Sequence, residues 1–160
     1  MPTKIKKIYI VDLDNTLYDT WPSLVGSSRR RFLKYLYIPE VVRNLTLPKF
    51  KKLMDIIRIR FSKNHVLFLT ARHKIQYPAT LLRLIYDMGW RGWQLKLVPD
   101  ANSKVPVIRN MLAKYEAVVL IDDLSYNHET GFVSIYRQVI EDLAQTKVRI
   151  ITGDNLKRLQ

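Results

Sequence analysis

Short apolar runs, each ending in a polar loop, alternate along this chain with stretches of helical spacing. The run 5–11 is β-branched and, beyond Lys6 and Lys7, apolar, and it stops at Asp12-Leu13-Asp14-Asn15-Thr16, the pattern of a buried strand feeding a loop. A second run, 65–69, stops at Thr70-Ala71-Arg72, and a third, 95–98, leads into Pro99-Asp100-Ala101-Asn102-Ser103. The run 117–121 is the clearest, wholly apolar and ending in Asp122-Asp123. Between the runs, apolar residues recur at helical spacing over 78–88, closed by Gly89, and over 104–114. A helix over 132–144 and a strand over 148–151 complete the rhythm. Continuous apolar strands alternating with helices predict an α/β, Rossmann-like fold, a parallel sheet flanked by helices on both faces.

One interval breaks the rhythm. A crossover between parallel strands needs about a dozen residues, yet the first two runs are separated by far more. Two helical stretches, 23–37 and 47–62, fill that interval, with a break near Pro39. The expected organisation is a single domain, 1–160, with a small helical cap inserted after the first strand at 18–63.

Composition narrows the function. With 48% hydrophobic residues the chain can bury a core, so global disorder is excluded. The absence of cysteine excludes disulfide scaffolds, thiolate metal sites and thiol catalysis. No apolar run reaches the ~18 residues of a membrane span. The stretch after Lys7 ends at Asp12, too soon for a signal peptide, so a cytoplasmic protein without membrane association is expected. The net charge is +13, and eleven basic residues against two acidic ones place +9 of it in the segment 29–63. Such a cap either steers anionic substrates or holds a nucleic-acid backbone.

The candidate chemistry sits where the runs end. Ligand sites in parallel α/β sheets form beyond the carboxyl ends of the strands. Asp12, Asp14 and Thr16 follow the first run, Thr70 and Arg72 the second, and Asp122 and Asp123 the fourth, while Lys104 opens a helix beyond the third. Clustered carboxylates repel unless a cation joins them. Magnesium suits hard oxygen donors and keeps positions open for phosphate. A hydroxyl and an ammonium can hold the remaining phosphate oxygens, and an ionised Asp beside them can attack phosphorus. A carboxyl two residues on can exchange the proton of the leaving group and of water.

Asp12-Leu13-Asp14-Asn15-Thr16 resembles the DxDxT signature of the haloacid dehalogenase-like phosphohydrolase superfamily. Thr70, Lys104, and Asp122-Asp123 with Asn127 resemble its second, third and fourth motifs, in order along residues 5–127. The resemblance implies a magnesium-dependent phosphatase that hydrolyses phosphate monoesters through an aspartyl-phosphate. Asp12 then corresponds to the nucleophile and a metal ligand, and Asp14 to the acid/base, with its backbone carbonyl on the metal. Thr70 and Lys104 correspond to the phosphate-positioning pair. In the fourth motif Asp123 aligns as a metal ligand, Asp122 stands at a glycine position, and Asn127 replaces an acid, so the two aspartates are both kept as candidate ligands. Thr16, Arg72 and Asn127 are candidate substrate contacts. The resemblance also implies a flap after Thr16 and a cap before the second motif.

Two finer likenesses point to nucleotides or nucleic-acid ends as substrate. Leu69-Thr70-Ala71-Arg72 with Ala79-Thr80-Leu81-Leu82 is similar to the 3′-phosphatase domains of polynucleotide kinase-type repair enzymes, and the stretch from Asp12 to Tyr18 resembles pyrimidine 5′-nucleotidases. The alternative from another class is a nucleic-acid-binding protein whose core is inactive or secondary. A GxxxxGK phosphate loop is absent, which disfavours a nucleoside triphosphatase. Trp21, Trp90 and Trp93 read as packing residues before they read as base platforms, and His65 and His128 as structural.

Overall fold

The computed structural model describes residues 5–20, 45–60, 65–90, 92–126 and 132–160. The expected helix over 23–37, most of the basic cap, Trp21, Asn127 and His128 lie outside them. Five strands form one parallel sheet: β1 (Ile5–Val11), β2 (His65–Thr70), β3 (Trp93–Leu97), β4 (Tyr115–Ile121) and, numbered after a two-stranded hairpin, β7 (Val148–Ile151). Their spatial order is β3-β2-β1-β4-β7. The chain therefore builds outward from β1 through β2 to β3, then returns to lay β4 against the other side of β1. That reversal between β1 and β4 is the switch point at which such sheets open a crevice.

Alternation along each strand explains why the apolar runs are unbroken. Val11, Val66, Phe68, Val119 and Ile121 point to one face, where they pack with Leu53, Met54 and Ile57 of α1 (Lys51–Arg60) and Leu84 of α2 (Tyr77–Met88). Ile8, Ile10, Leu67, Leu69, Val118 and Leu120 point to the other, against Val105 and Ile108 of α3 (Lys104–Lys114) and Val139 and Leu143 of α4 (Arg137–Ala144). A strand buried on both faces has no polar side of its own. The expected α/β, Rossmann-like arrangement is thus the observed one. Pro78 in the first turn of α2 costs no hydrogen bond. Gly89, at φ 77°, ends that helix by returning its N–H to the Ile85 carbonyl.

Several boundaries differ from the sequence reading. The third strand is Trp93–Leu97 rather than 95–98, in register from Val66↔Trp93 to Thr70↔Leu97. The fourth begins at Tyr115 rather than 117, because Ile5 pairs with Tyr115. The helix expected over 132–144 starts only at Arg137: Ser134–Ile135 (β6) first pairs antiparallel with Ser125–Tyr126 (β5). The pairing decides for strand a stretch whose spacing also fits a helix. The helix expected over 47–62 begins only at Lys51, since the backbone before it bonds to the loop after β1; its last two expected positions lie outside the described residues. Asp19 N–H donates to the Pro48 carbonyl (2.8 Å) and Phe50 N–H to that of Leu17 (3.0 Å). A short helix, α5 (Gly153–Lys157), follows β7 and buries Leu156; the sequence reading contains no counterpart.

Candidate active site

The site is assembled at the carboxyl ends of β1 and β4, on either side of the switch point. β1 stops at Val11 and the Asp12 N–H donates to the Ile121 carbonyl of β4 (2.9 Å), so the two acidic loops leave the sheet side by side. Lys104, the first residue of α3, projects into the space between them. Its Nζ donates to Asp12 Oδ1 at 2.8 Å and to Asp122 Oδ2 at 2.7 Å, with all three side chains almost fully buried. Asp122 Oδ1 accepts the Leu124 N–H (2.8 Å), a closure that puts Leu124 at φ 52°. Backbone strain of this kind concentrates at functional sites.

Asp123 completes the acidic group. Its N–H donates to Thr16 Oγ1 (2.9 Å), Thr16 Oγ1 in turn faces its Oδ1 at 3.5 Å, and the Ser125 hydroxyl donates to its Oδ2. Thr16 is fully buried, so in this structure its hydroxyl ties the first loop to the fourth. Carboxylate oxygens of Asp12, Asp122 and Asp123 all lie within 4.8 Å of one another. Among the described residues this is the one such cluster.

Asp14 faces elsewhere. Arg72 holds it in a two-pronged ion pair, Nε to Oδ2 at 2.8 Å and Nη2 to Oδ1 at 2.7 Å, while Nη1 reaches Thr80 Oγ1 (3.2 Å). The Thr70 hydroxyl approaches Asp14 Oδ2 at 3.4 Å. Continuation of strand geometry would aim Asp12 and Asp14 together. The strand instead ends at Val11, before both, and the two carboxylates find different cations. The Arg72 side chain is 4% exposed and that of Asp14 33%, so the aspartate is the member of this pair that solvent reaches.

Electrostatics separate the two halves of the site. Burial raises the Asp12 carboxyl well above its ordinary value; Lys104 opposes this, and Asp122, Asp14 and Asp123 add to it. Burial, and then the charge of Asp122, push Asp123 up to about 7 against relief from Ser125. Burial alone would lower Lys104, but Asp12 and Asp122 overcome it and hold the ammonium firmly charged. Both Asp12 and Lys104 are raised, which favours the neutral acid but the charged ammonium, for one reason: a single ammonium serves a cluster of three carboxylates. Fully ionised, the cluster with Lys104 carries a net −2 in a region nearly closed to water. A divalent cation cancels that charge, and an all-oxygen donor set suits magnesium.

Of the candidate residues, the structure brings Asp12, Asp122, Asp123, Lys104 and Thr16 together, and places Asp14, Thr70 and Arg72 beside them as a second group. Lys96 and Lys114, the other lysines near the third motif, are exposed. Sequence reasoning missed Ser125, whose hydroxyl serves Asp123, and Thr152, whose Oγ1 donates to the Asp123 carbonyl (3.1 Å). It also missed Gln160, which donates through Nε2 to the Asn15 carbonyl (2.8 Å). Nothing local marks Thr152 or Gln160, because their partners are more than twenty residues away. A larger omission is the buried group around Asp87. Tyr18 Oη donates to Asp87 Oδ2 (3.0 Å), Arg83 Nε to the same oxygen (2.5 Å) and Lys49 Nζ to Oδ1 (2.6 Å). The Arg83–Asp87 spacing of four in a helix was the readable signal.

The fold and the acidic crevice define an α/β, Rossmann-like domain with a candidate cation and anion site at its switch point. Compared with known proteins, the chain matches no family model, no curated protein and no solved structure. No helix among the described residues is long and apolar enough to cross a membrane.

Proposed function

We propose that this chain is a magnesium-dependent phosphohydrolase of the haloacid dehalogenase-like type, which cleaves phosphate monoesters through an aspartyl-phosphate on Asp12. The observation that supports this most is the meeting of Asp12, Asp122 and Lys104 across the switch point, with Asp123 as the third carboxylate. The donor set fits magnesium in charge and hardness. Asp12, Asp122 and Asp123 would hold it, and Asp14 through its carbonyl on the family pattern. When bound, the ion neutralises the cluster and the charge of a phosphate group.

The chain's own residues supply the rest. An Asp12 carboxylate oxygen attacks phosphorus, and the bond from phosphorus to the ester oxygen breaks. Asp14, reached by solvent, gives its proton to the leaving oxygen. Water then attacks the phosphoryl group, Asp14 takes up the proton released, and Asp12 is regenerated with free phosphate. On this reading Lys104 and the Thr70 hydroxyl hold the phosphate oxygens. The two-pronged grip of Arg72 suits the ionised form of Asp14, which the second half-reaction uses. The test is turnover of an aryl phosphate. Magnesium-dependent activity is expected, lost on chelation and reduced ~10³-fold or more in Asp12→Asn. Full activity under either condition overturns the proposal.

The concentration of charge in 29–63 favours one second reading, nucleic-acid binding over an inactive core. That reading expects no turnover and a steeply salt-dependent affinity for oligonucleotides.

A further inference from the structure

Beside the acidic crevice lies a surface cleft of about 690 Å³ that none of the chemistry above uses. Tyr126, Ile135, Tyr136, Arg137, Gln138 and Asn102 line it. We infer that this cleft receives the base of a nucleotide whose phosphate occupies the acidic crevice. The inference rests on the phosphohydrolase reading and names its substrate class.

Position is the first argument. Both walls of the cleft grow from residues of the crevice. On one side, Asp123 accepts from Ser125, and Tyr126 is the next residue. Tyr136 is fastened to the same loop through its N–H, which donates to the Leu124 carbonyl at 2.9 Å. On the other side, Asn102 stands two residues before Lys104, whose ammonium sits between Asp12 and Asp122. The charges of Lys104, Asp122 and Asp123 reach the Tyr136 phenol, although burial is the main cause of its raised pKa. A molecule with its phosphate in the crevice therefore extends its next group toward these tyrosines.

Chemistry is the second argument. The Tyr126 and Tyr136 rings lean together at 4.6 Å between centroids and 34° between planes, so Tyr136 braces the more exposed ring of Tyr126 as an aromatic surface. Ile135, 56% exposed, extends its apolar area. The amides of Asn102 and Gln138 offer both donors and acceptors, as the edge of a heterocycle requires. Arg137 adds a cation that can lie over a π face or meet a further phosphate. A sugar phosphate leaves the aromatic surface uncovered. The volume lies within the range of small-molecule sites, ~300–1,000 Å³. The same base chemistry could come from a free nucleotide or from an oligonucleotide end.

The test compares kcat/KM for adenosine and uridine monophosphates with that for ribose 5-phosphate, in wild type, Tyr126→Ala and Tyr126→Phe. Wild type should favour the nucleotides about ten-fold or more, the range that stacking on an aromatic side chain supplies. Tyr126→Ala should collapse that ratio toward one, and Tyr126→Phe should keep it. A wild-type ratio near one, or a ratio unmoved in Tyr126→Ala, overturns the inference. Oligonucleotides phosphorylated at one end, with and without the terminal base, form a further arm. Preference for the intact terminal base over a free nucleotide assigns the cleft to strand ends, and the reverse assigns it to nucleotides. Equilibrium binding of unphosphorylated adenosine to Asp12→Asn separates the two proposals. Adenosine binding without turnover of any phosphate fells the phosphohydrolase reading alone, and aryl phosphate turnover without a base preference fells only this one.

Discussion

At the scale of single residues, the site is a problem of excess negative charge. Asp12 and Asp123 are both raised, by burial first and by neighbouring carboxylates after it, while Lys104 keeps its proton throughout. An acid raised by folding binds its proton more tightly in the native protein than in the unfolded chain. For Asp123 that difference spans 3.8 to about 7, so the metal-free protein should lose stability as pH rises through that window. Magnesium competes for the same oxygens, so its stabilising effect should grow across the same window. Thermal melts at pH values inside and above it, with and without magnesium, check both parts: the metal-free Tm falls with pH and magnesium restores it. Asp87 runs the other way. Its lowered pKa, opposed by burial and set by Lys49 and Arg83, contributes stability that disappears only in stronger acid. Asp12→Asn should abolish turnover and yet raise the metal-free Tm at neutral pH, because it removes one charge from an overcharged cluster. A fall in Tm would show that the Lys104 ion pair, and not repulsion, dominates at Asp12.

At the scale of elements, the segment entering α1 is fastened to the core by a buried polar clamp. Arg83 Nη2 donates to the Leu47 carbonyl at 2.9 Å and Nη1 to that of Leu45, while Asp87 gathers Arg83, Lys49 and Tyr18. Tyr18 also lies under both guanidiniums, 5.0 Å from Arg83 and 5.9 Å from Arg72, so the clamp adjoins the group that holds Asp14. Tyr18→Phe, which removes one buried hydrogen bond, should cost ~1 kcal/mol in urea unfolding. Asp87→Ala strands two cations and should cost ~3–5 kcal/mol. Equal losses for the two variants would contradict a charge-based clamp. This clamp also shows why the sequence was only partly legible. Three strands could be read from apolar runs buried on both faces, at 66–69, at 118–121 and around Ile10, whereas β3 and β7, with exposed Gln94, Lys96 and Arg149, could be read only from the apolar residues that alternate with them. Asp12, Asp14, Asp122 and Asp123 could be read because they interrupt such runs at the same end of the sheet. The short pair β5 and β6 could not, since Phe132-Val133-Ser134-Ile135 satisfies helix and strand spacing alike and only pairing with Ser125–Tyr126 decides. The partner that separates Asp14 from Asp12 was equally hidden, because nothing local told whether Arg72 turns outward to substrate or inward to an aspartate.

At the scale of the whole molecule, a +13 chain places its acidic crevice at the switch point of its sheet. The positive charge concentrates in 29–63, whose described part, 45–60, includes α1 and pairs Lys49 with Tyr18 of the loop after β1. A field of that sign should speed the approach of phosphorylated substrates. Raising ionic strength should therefore lower kcat/KM for a dianionic substrate several-fold and leave kcat nearly constant; a kcat that falls in parallel would place the salt effect in the chemistry. All of the proposed chemistry turns on Asp12 carrying the phosphoryl group. The direct measurement is rapid quenching with a substrate labelled in its phosphate, followed by location of protein-bound label. Wild type, and Asp14→Asn to slow hydrolysis, should yield an acid-stable, base-labile phosphoryl group on Asp12 that is absent from Asp12→Asn. Turnover with no protein-bound label, or with label on any other residue, would contradict the account.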